Sequence, residues 1–177
     1  MAHASRFRFI ARLAAAVAIA AAQGASGAAT AAGVEGVVRY VIDGDTLVLL
    51  PDAPAGPPIR LRVRGIDAPE ICQSGGVEAR DAIAQRVLGR RVRASGTIDD
   101  DYGRRLATVS VDGEDLGAWM VAQGHAWSAR YRGRPGPYAR EEREARAARR
   151  GVFAHDDPQP PRSFRRAHGS CHPSPAP

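Results

Sequence analysis

The stretch Ile59-Arg60-Leu61-Arg62-Val63-Arg64-Gly65-Ile66 alternates without interruption. Successive side chains of an extended chain point to opposite faces. Ile59, Leu61, Val63 and Gly65 therefore share one face, and Arg60, Arg62 and Arg64 share the other. The first face suits a core, and the second presents three guanidinium groups. Pro69 breaks the pattern because it has no N–H to give to a sheet. The loop that Pro69 stiffens carries Asp67 and Glu70.

Upstream, Val34 to Tyr40 alternates and runs into Val41-Ile42, and Leu47 to Leu50 resumes the pattern. Asp43-Gly44 between them reads as a hairpin turn. Pro51 to Pro58 is a loop of Pro, Ala and Gly. Downstream the period changes. Ala79, Ile83 and Val87 lie four apart on one face of a helix predicted over Val77–Leu88, with Gly89 as its stop. Val92–Ile98 and Leu106–Val111 read as two more strands. Leu116, Trp119 and Met120 mark a short helix ending at Gly124, and Tyr138–Arg150 a third, dense in Arg and Glu. Trp119 and Trp127 read as core. Five short strands, one helix inserted after the third and two helices after the fifth, predict a five-stranded barrel of the OB type with three helices.

A chain of 177 residues suits one such domain, at 34–154, with appendages. Residues 1–31 read as a signal peptide: Arg6, Arg8 and Arg12 precede the short apolar run Leu13–Ala22, and small residues follow. The run is too short to span a bilayer. Export is therefore expected, to the periplasm or the medium, with no stable membrane association once the segment is removed. The segment holds three arginines and no acid, which leaves 22 basic against 19 acidic residues. That modest excess permits a polyanionic partner without requiring one. Every basic side chain is arginine, permanently charged and able to hold phosphate through paired hydrogen bonds.

Residues 155–177 are rich in proline and poor in apolar side chains, so this tail is expected to be poorly ordered unless something ties it down. Cys72 and Cys171 are the two cysteines, and an exported chain favours their oxidation. A Cys72–Cys171 disulfide would tie the tail beside the loop that bears Glu70. Metal binding by His168, Cys171 and His172 would be a poor alternative on so loose a segment.

Three segments gather acids and arginines at turns: Ile42-Asp43-Gly44-Asp45-Thr46, Arg62 through Glu70, and Asp101-Tyr102-Gly103-Arg104-Arg105. Singly, each also reads as an ordinary turn with solvated charges. Together they meet the needs of phosphodiester cleavage, which requires activated water and stabilisation of extra negative charge at phosphorus. Asp45 and Asp67 end strands that a barrel would set side by side, and they can share one hard cation. Glu70 can face that ion through water. Two carboxylates and one carbonyl form an incomplete, irregular shell, which calcium tolerates better than magnesium.

In order and spacing the three segments resemble those of the staphylococcal nuclease family, over about Val34 to Phe153. The resemblance implies an OB barrel, calcium as cofactor, and hydrolysis of DNA and RNA to 3′-phosphate products. By motif, Asp45 and Asp67 resemble the calcium carboxylates, Ala68 the carbonyl ligand, and Glu70 the general base. Arg62 and Arg104 resemble the two arginines that grip the phosphate. Tyr102 resembles an aromatic of the nucleotide pocket, and Tyr131 and Tyr138 lie where the family has further nucleotide-contacting tyrosines. The alternative is a barrel that binds nucleic acid without cutting it. All five ionisable positions are present, which favours catalysis. The sequence shows no clear apolar patch for an obligate protein partner.

Overall fold

The computed structural model describes residues 33–52 and 56–171. The segment read as a signal peptide lies outside the described residues, as does part of the Pro51–Pro58 loop.

In chain order the elements are β1 (Gly33–Asp43), β2 (Thr46–Pro51), β3 (Ile59–Val63), β4 (Ile66–Asp67), α1 (Gly76–Val87), β5 (Arg91–Asp99), β6 (Arg105–Val111), β7 (Glu114–Asp115), α2 (Leu116–Ala122), β8 (Trp127–Ser128), α3 (Ala139–Ala147) and α4 (Pro161–His168). Antiparallel pairing runs β3-β2-β1-β5-β6. Parallel pairing of β3 with β6, with Arg62 opposite Leu106, closes the five strands into a barrel. Breaks in register between Val38 and Tyr40 and between Val41 and Asp43 mark irregularities in β1. Such irregularities bend a strand and let a sheet curl on itself.

Through Val63 the core face of β3 is the one the alternation predicts; beyond it the chain turns at Arg64-Gly65, so Ile66, which the alternation sets with the arginines, is buried instead of Gly65. Leu61 and Val63 are buried with Val38, Leu47 and Leu49 on the neighbouring strands and Val109 and Val111 on β6. Ala79, Ile83 and Val87 of α1 plug one side of this cluster, and Leu116, Met120 and Val121 of α2 join it. Asp115 caps α2 by accepting the N–H groups of Gly117 and Ala118. A second cluster unites Trp127, Ala145, Val152 and Phe153, with the Trp127 and Phe153 rings edge to face at 5.3 Å.

Two further expectations need correction. The β1–β2 turn is Gly44-Asp45, not Asp43-Gly44, because Asp43 still pairs with Thr46. The Asp43 carboxylate accepts the Asp45 N–H at 3.0 Å and tightens that turn. The described residues also hold four α-helices where three were expected, since the proline-rich tail forms α4. Pro161 is buried at the start of α4, the Gln159 carbonyl accepts from Gln73 Nε2 at 2.6 Å, and Cys171 is disulfide-bonded to Cys72. Those attachments supply what the composition of the segment lacks. Among the described residues no helix is long and apolar enough to cross a membrane.

Candidate active site

Three connections and the tail converge on one rim of the barrel. The β1–β2 turn brings Asp45, the solvent-side face of β3 brings Arg62, and the loop after β4 brings Ala68 and Glu70. The β5–β6 turn brings Tyr102 and Arg104, and α4 brings Arg165. These side chains line a cavity of about 400 Å³, along with Arg60, Asp43 and Thr46.

Asp45 is the hub. Its Oδ2 accepts the backbone N–H of Ala68 at 3.0 Å and lies 2.8 Å from Arg62 Nη1. Its Oδ1 accepts the Thr46 hydroxyl at 3.1 Å. Asp45 is 7% exposed, and burial pushes its pKa up from 3.8 to about 6 despite the opposing Arg62 charge, with the Asp43 carboxylate adding to the rise. Gly44 lets the turn approach this closely: a Cβ there would meet those of Ala68 at 2.6 Å and Ala79 at 2.9 Å.

Arg62 spans the two carboxylates. Its Nη2 reaches Asp67 Oδ1 at 3.6 Å while Nη1 serves Asp45 and the Ile66 carbonyl at 3.1 Å. Arg104 is set by Asp100, whose Oδ2 accepts from Arg104 Nε at 2.8 Å. Burial alone would raise the Asp100 pKa, but the hydrogen bonds and charge of Arg104 outweigh it and hold the group below its usual value. The Arg104 guanidinium lies 5.4 Å from the centre of the Tyr102 ring and donates to Thr46 Oγ1 at 3.4 Å, so the Thr46 hydroxyl links it to Asp45.

Glu70 is fixed through its own backbone, which exchanges hydrogen bonds with Gln73 at 2.8 and 3.2 Å. Its Oε1 accepts from Arg165 Nη1 at 2.8 Å. The structure thus brings Asp45, Arg62, Asp67, Ala68, Glu70, Tyr102 and Arg104 together. It does not bring Tyr131 or Tyr138 to the cavity. Tyr131 is exposed, beside Arg132, whose guanidinium carbon lies 5.2 Å from the ring centre. The Tyr138 hydroxyl donates to Asp115 at 3.0 Å, and its ring lies where a Cβ on Gly117 would meet it at 2.9 Å. Burial and the Asp115 charge push the Tyr138 pKa well up.

The sequence alone does not single out Arg165. Nothing in the local pattern of the tail distinguishes it from Arg162 or Arg166. The one pointer was the cysteine pair, which sets the tail beside the Glu70 loop.

The donor set fits a hard cation. Among the described residues no three His, Cys, Asp or Glu side chains converge as a ready cluster. Asp45 and Asp67 offer carboxylate oxygens bridged by the Arg62 guanidinium, and Asp67 is also paired with Arg165. All of these donors are oxygen, which matches calcium or magnesium in preference to softer metals.

Residues 60–155 match the family described as staphylococcal nuclease homologue. The chain is 39% identical over 142 residues to protein ParB of Escherichia coli, spanning 74% of this chain and 78% of ParB. It is 34% identical over 143 residues to a micrococcal nuclease of Shigella flexneri, with 75% and 80% covered. An uncharacterized endonuclease of Escherichia coli O157:H7 is 33% identical over 129 residues, with 72% and 82% covered. The chain belongs to the staphylococcal nuclease family. It is an enzyme that hydrolyses phosphodiester bonds, with nucleic acid as its substrate.

Proposed function

We propose that this nuclease depends on calcium and cuts both DNA and RNA, leaving 3′-phosphate ends. The observation that carries the reading is the Arg62 guanidinium lying between Asp45 and Asp67 on a cavity that Arg104 also faces. Asp45, Asp67 and the Ala68 carbonyl would hold the ion. When bound, calcium would supply positive charge against the phosphate oxygens.

The chain's own groups have distinct tasks in this account. Arg62 and Arg104 donate paired hydrogen bonds to the phosphate, and these strengthen as charge builds in the transition state. Glu70 takes a proton from the water whose oxygen attacks phosphorus. The P–O5′ bond breaks with its electron pair going to O5′, which takes a proton from solvent, so the phosphate stays on the 3′ side and the leaving strand ends in a 5′ hydroxyl. For that step Glu70 must exchange its Arg165 partner for water. Tyr102, exposed beside Arg104, offers a face on which a base can stack, and stacking tolerates any sequence. Tyr131 and Tyr138 have no task in this account, because one stands apart from the cavity and the other is committed to Asp115. A barrel that only binds nucleic acid would have no use for Glu70 among these cations.

Export is part of the proposal. Besides the signal-like leader, the Cys72–Cys171 bond suits an oxidising compartment.

The test is digestion of single-stranded DNA and of RNA with calcium or with a chelator, followed by end-group analysis. The reading expects calcium-dependent cutting of both, with 3′-phosphate ends. Undiminished cutting in chelator, or 5′-phosphate ends, would overturn it.

A further inference from the structure

The tail is pinned at two points to one short turn. Gln159 is held by Gln73, and Cys171 by Cys72, so both anchors fall just beyond Glu70. Between the anchors, α4 carries Arg165 over the loop that bears Asp67. Arg165 Nη1 donates to Asp67 Oδ1 at 3.1 Å and to Glu70 Oε1 at 2.8 Å, and Nη2 donates to Asp67 Oδ2 at 3.3 Å. One planar fork thus occupies both oxygens of Asp67 and one of Glu70, a geometry that a guanidinium fits closely. The neighbouring Arg166 instead donates to Ser163 within the same helix. The register of α4, not its overall charge, puts a cation on Asp67.

Resting on the cation site proposed above, we propose that Arg165 is an affinity-setting residue of that site. It is a tethered countercation that occupies Asp67 and Glu70 in the free protein and is displaced by any ion that binds through Asp67. The competition follows from shared atoms. Asp67 cannot give the same lone pairs to a fork and to an ion, so the apparent affinity falls with the fraction of molecules in which Arg165 is engaged. The two anchors keep that fraction high, since the tail cannot carry Arg165 away while the disulfide is closed. A free arginine in solution would compete far less, because tethering raises the effective concentration of the group.

The experiment is calcium titration by calorimetry on the full-length, unreduced protein, on Arg165→Ala, on Arg166→Ala, and on the paired Cys72→Ser/Cys171→Ser variant. No substrate is needed, so the readout is independent of turnover. Losing charge-assisted hydrogen bonds to Asp67 predicts roughly tenfold tighter calcium binding by Arg165→Ala. Arg166→Ala, which removes the same charge from the same helix, should match wild type. The double serine variant, with its tail untethered, should fall between wild type and Arg165→Ala. Unchanged or weaker binding by Arg165→Ala would overturn the inference while leaving the nuclease's calcium site in place. Equal tightening by Arg166→Ala would overturn it too, by reducing the effect to general charge. Absence of calcium binding in every protein, with or without a non-hydrolysable dinucleotide, would overturn both the inference and the calcium reading beneath it.

Discussion

Asp45 Oδ2 accepts the backbone N–H of Ala68 at 3.0 Å, which joins the β1–β2 turn to the loop after β4. The bond has two consequences. It sets a buried carboxylate beside the Ala68 backbone, and it fixes the starting point of the short run from Ala68 to Glu70. The relative positions of Asp45, Asp67 and Glu70 therefore depend on how closely the two loops approach.

Gly44 controls that approach. A methyl group at this position meets Ala68 Cβ at 2.6 Å and Ala79 Cβ at 2.9 Å, and both neighbours are buried. Gly44→Ala should cost about 1–3 kcal/mol of stability through overpacking. Its activity should fall further than the unfolded fraction accounts for, as the loops part. Thermal melts and turnover measured well below the melting range separate the two effects.

The pH dependence of stability should carry the mark of Asp45. The folded protein keeps the Asp45 proton up to about pH 6, whereas an unfolded chain releases it near 3.8. Its contribution to stability is thus full below the lower value and is lost as pH rises through the higher one. In chelator, wild type should lose stability relative to Asp45→Asn between about pH 4 and about pH 7, on the order of 1–3 kcal/mol. Asparagine keeps an oxygen for the Ala68 N–H, so the comparison isolates the charge. Calcium should reverse the loss. Parallel pH profiles for the two proteins would contradict this assignment.

The disulfide closes a sequence separation of 99 residues, for which chain entropy alone predicts stabilisation of about 4–5 kcal/mol. Less than that should appear on reduction, because the tail can undock before the barrel unfolds. Limited digestion with trypsin reads the undocking directly. The unreduced protein should resist cutting at Arg162, Arg165 and Arg166, and Cys72→Ser/Cys171→Ser should be cut there first. Equal rates would mean that α4 is held without the bond.

The barrel was legible because its strands obey simple periods. The alternation about β3 and the four-residue spacing of Ala79, Ile83 and Val87 each report a buried face, and Leu61, Val63, Ala79, Ile83 and Val87 are buried; the alternation fails at Gly65 and Ile66, where the chain turns. The turn after β1 was misread by one residue because Asp-Gly is a strong turn pair locally, while strand pairing extends through Asp43. Tertiary contact decided that boundary. The motif residues Asp45, Arg62, Asp67, Glu70 and Arg104 could be named from their segments, although their convergence depends on closure of β3 onto β6. Tyr138 could not be placed, since its partner Asp115 lies far away in sequence. The helix α4 was hidden for a similar reason. Pro161–His168 has little apolar surface of its own and is held by Gln73 and Cys72 from another part of the chain.

Arg104 offers the most direct test of the central claim, that this cavity performs phosphodiester hydrolysis. Unlike Arg62 it does not bridge the two carboxylates, so its loss should spare the arrangement of Asp45 and Asp67. The measurement is kcat for single-stranded DNA with calcium, for wild type and Arg104→Ala, with melting curves to show that both are folded. The account predicts a fall of about 100- to 1000-fold in kcat for the variant, the size typical of losing a transition-state donor. A folded Arg104→Ala protein that cleaves at nearly the wild-type rate would contradict it.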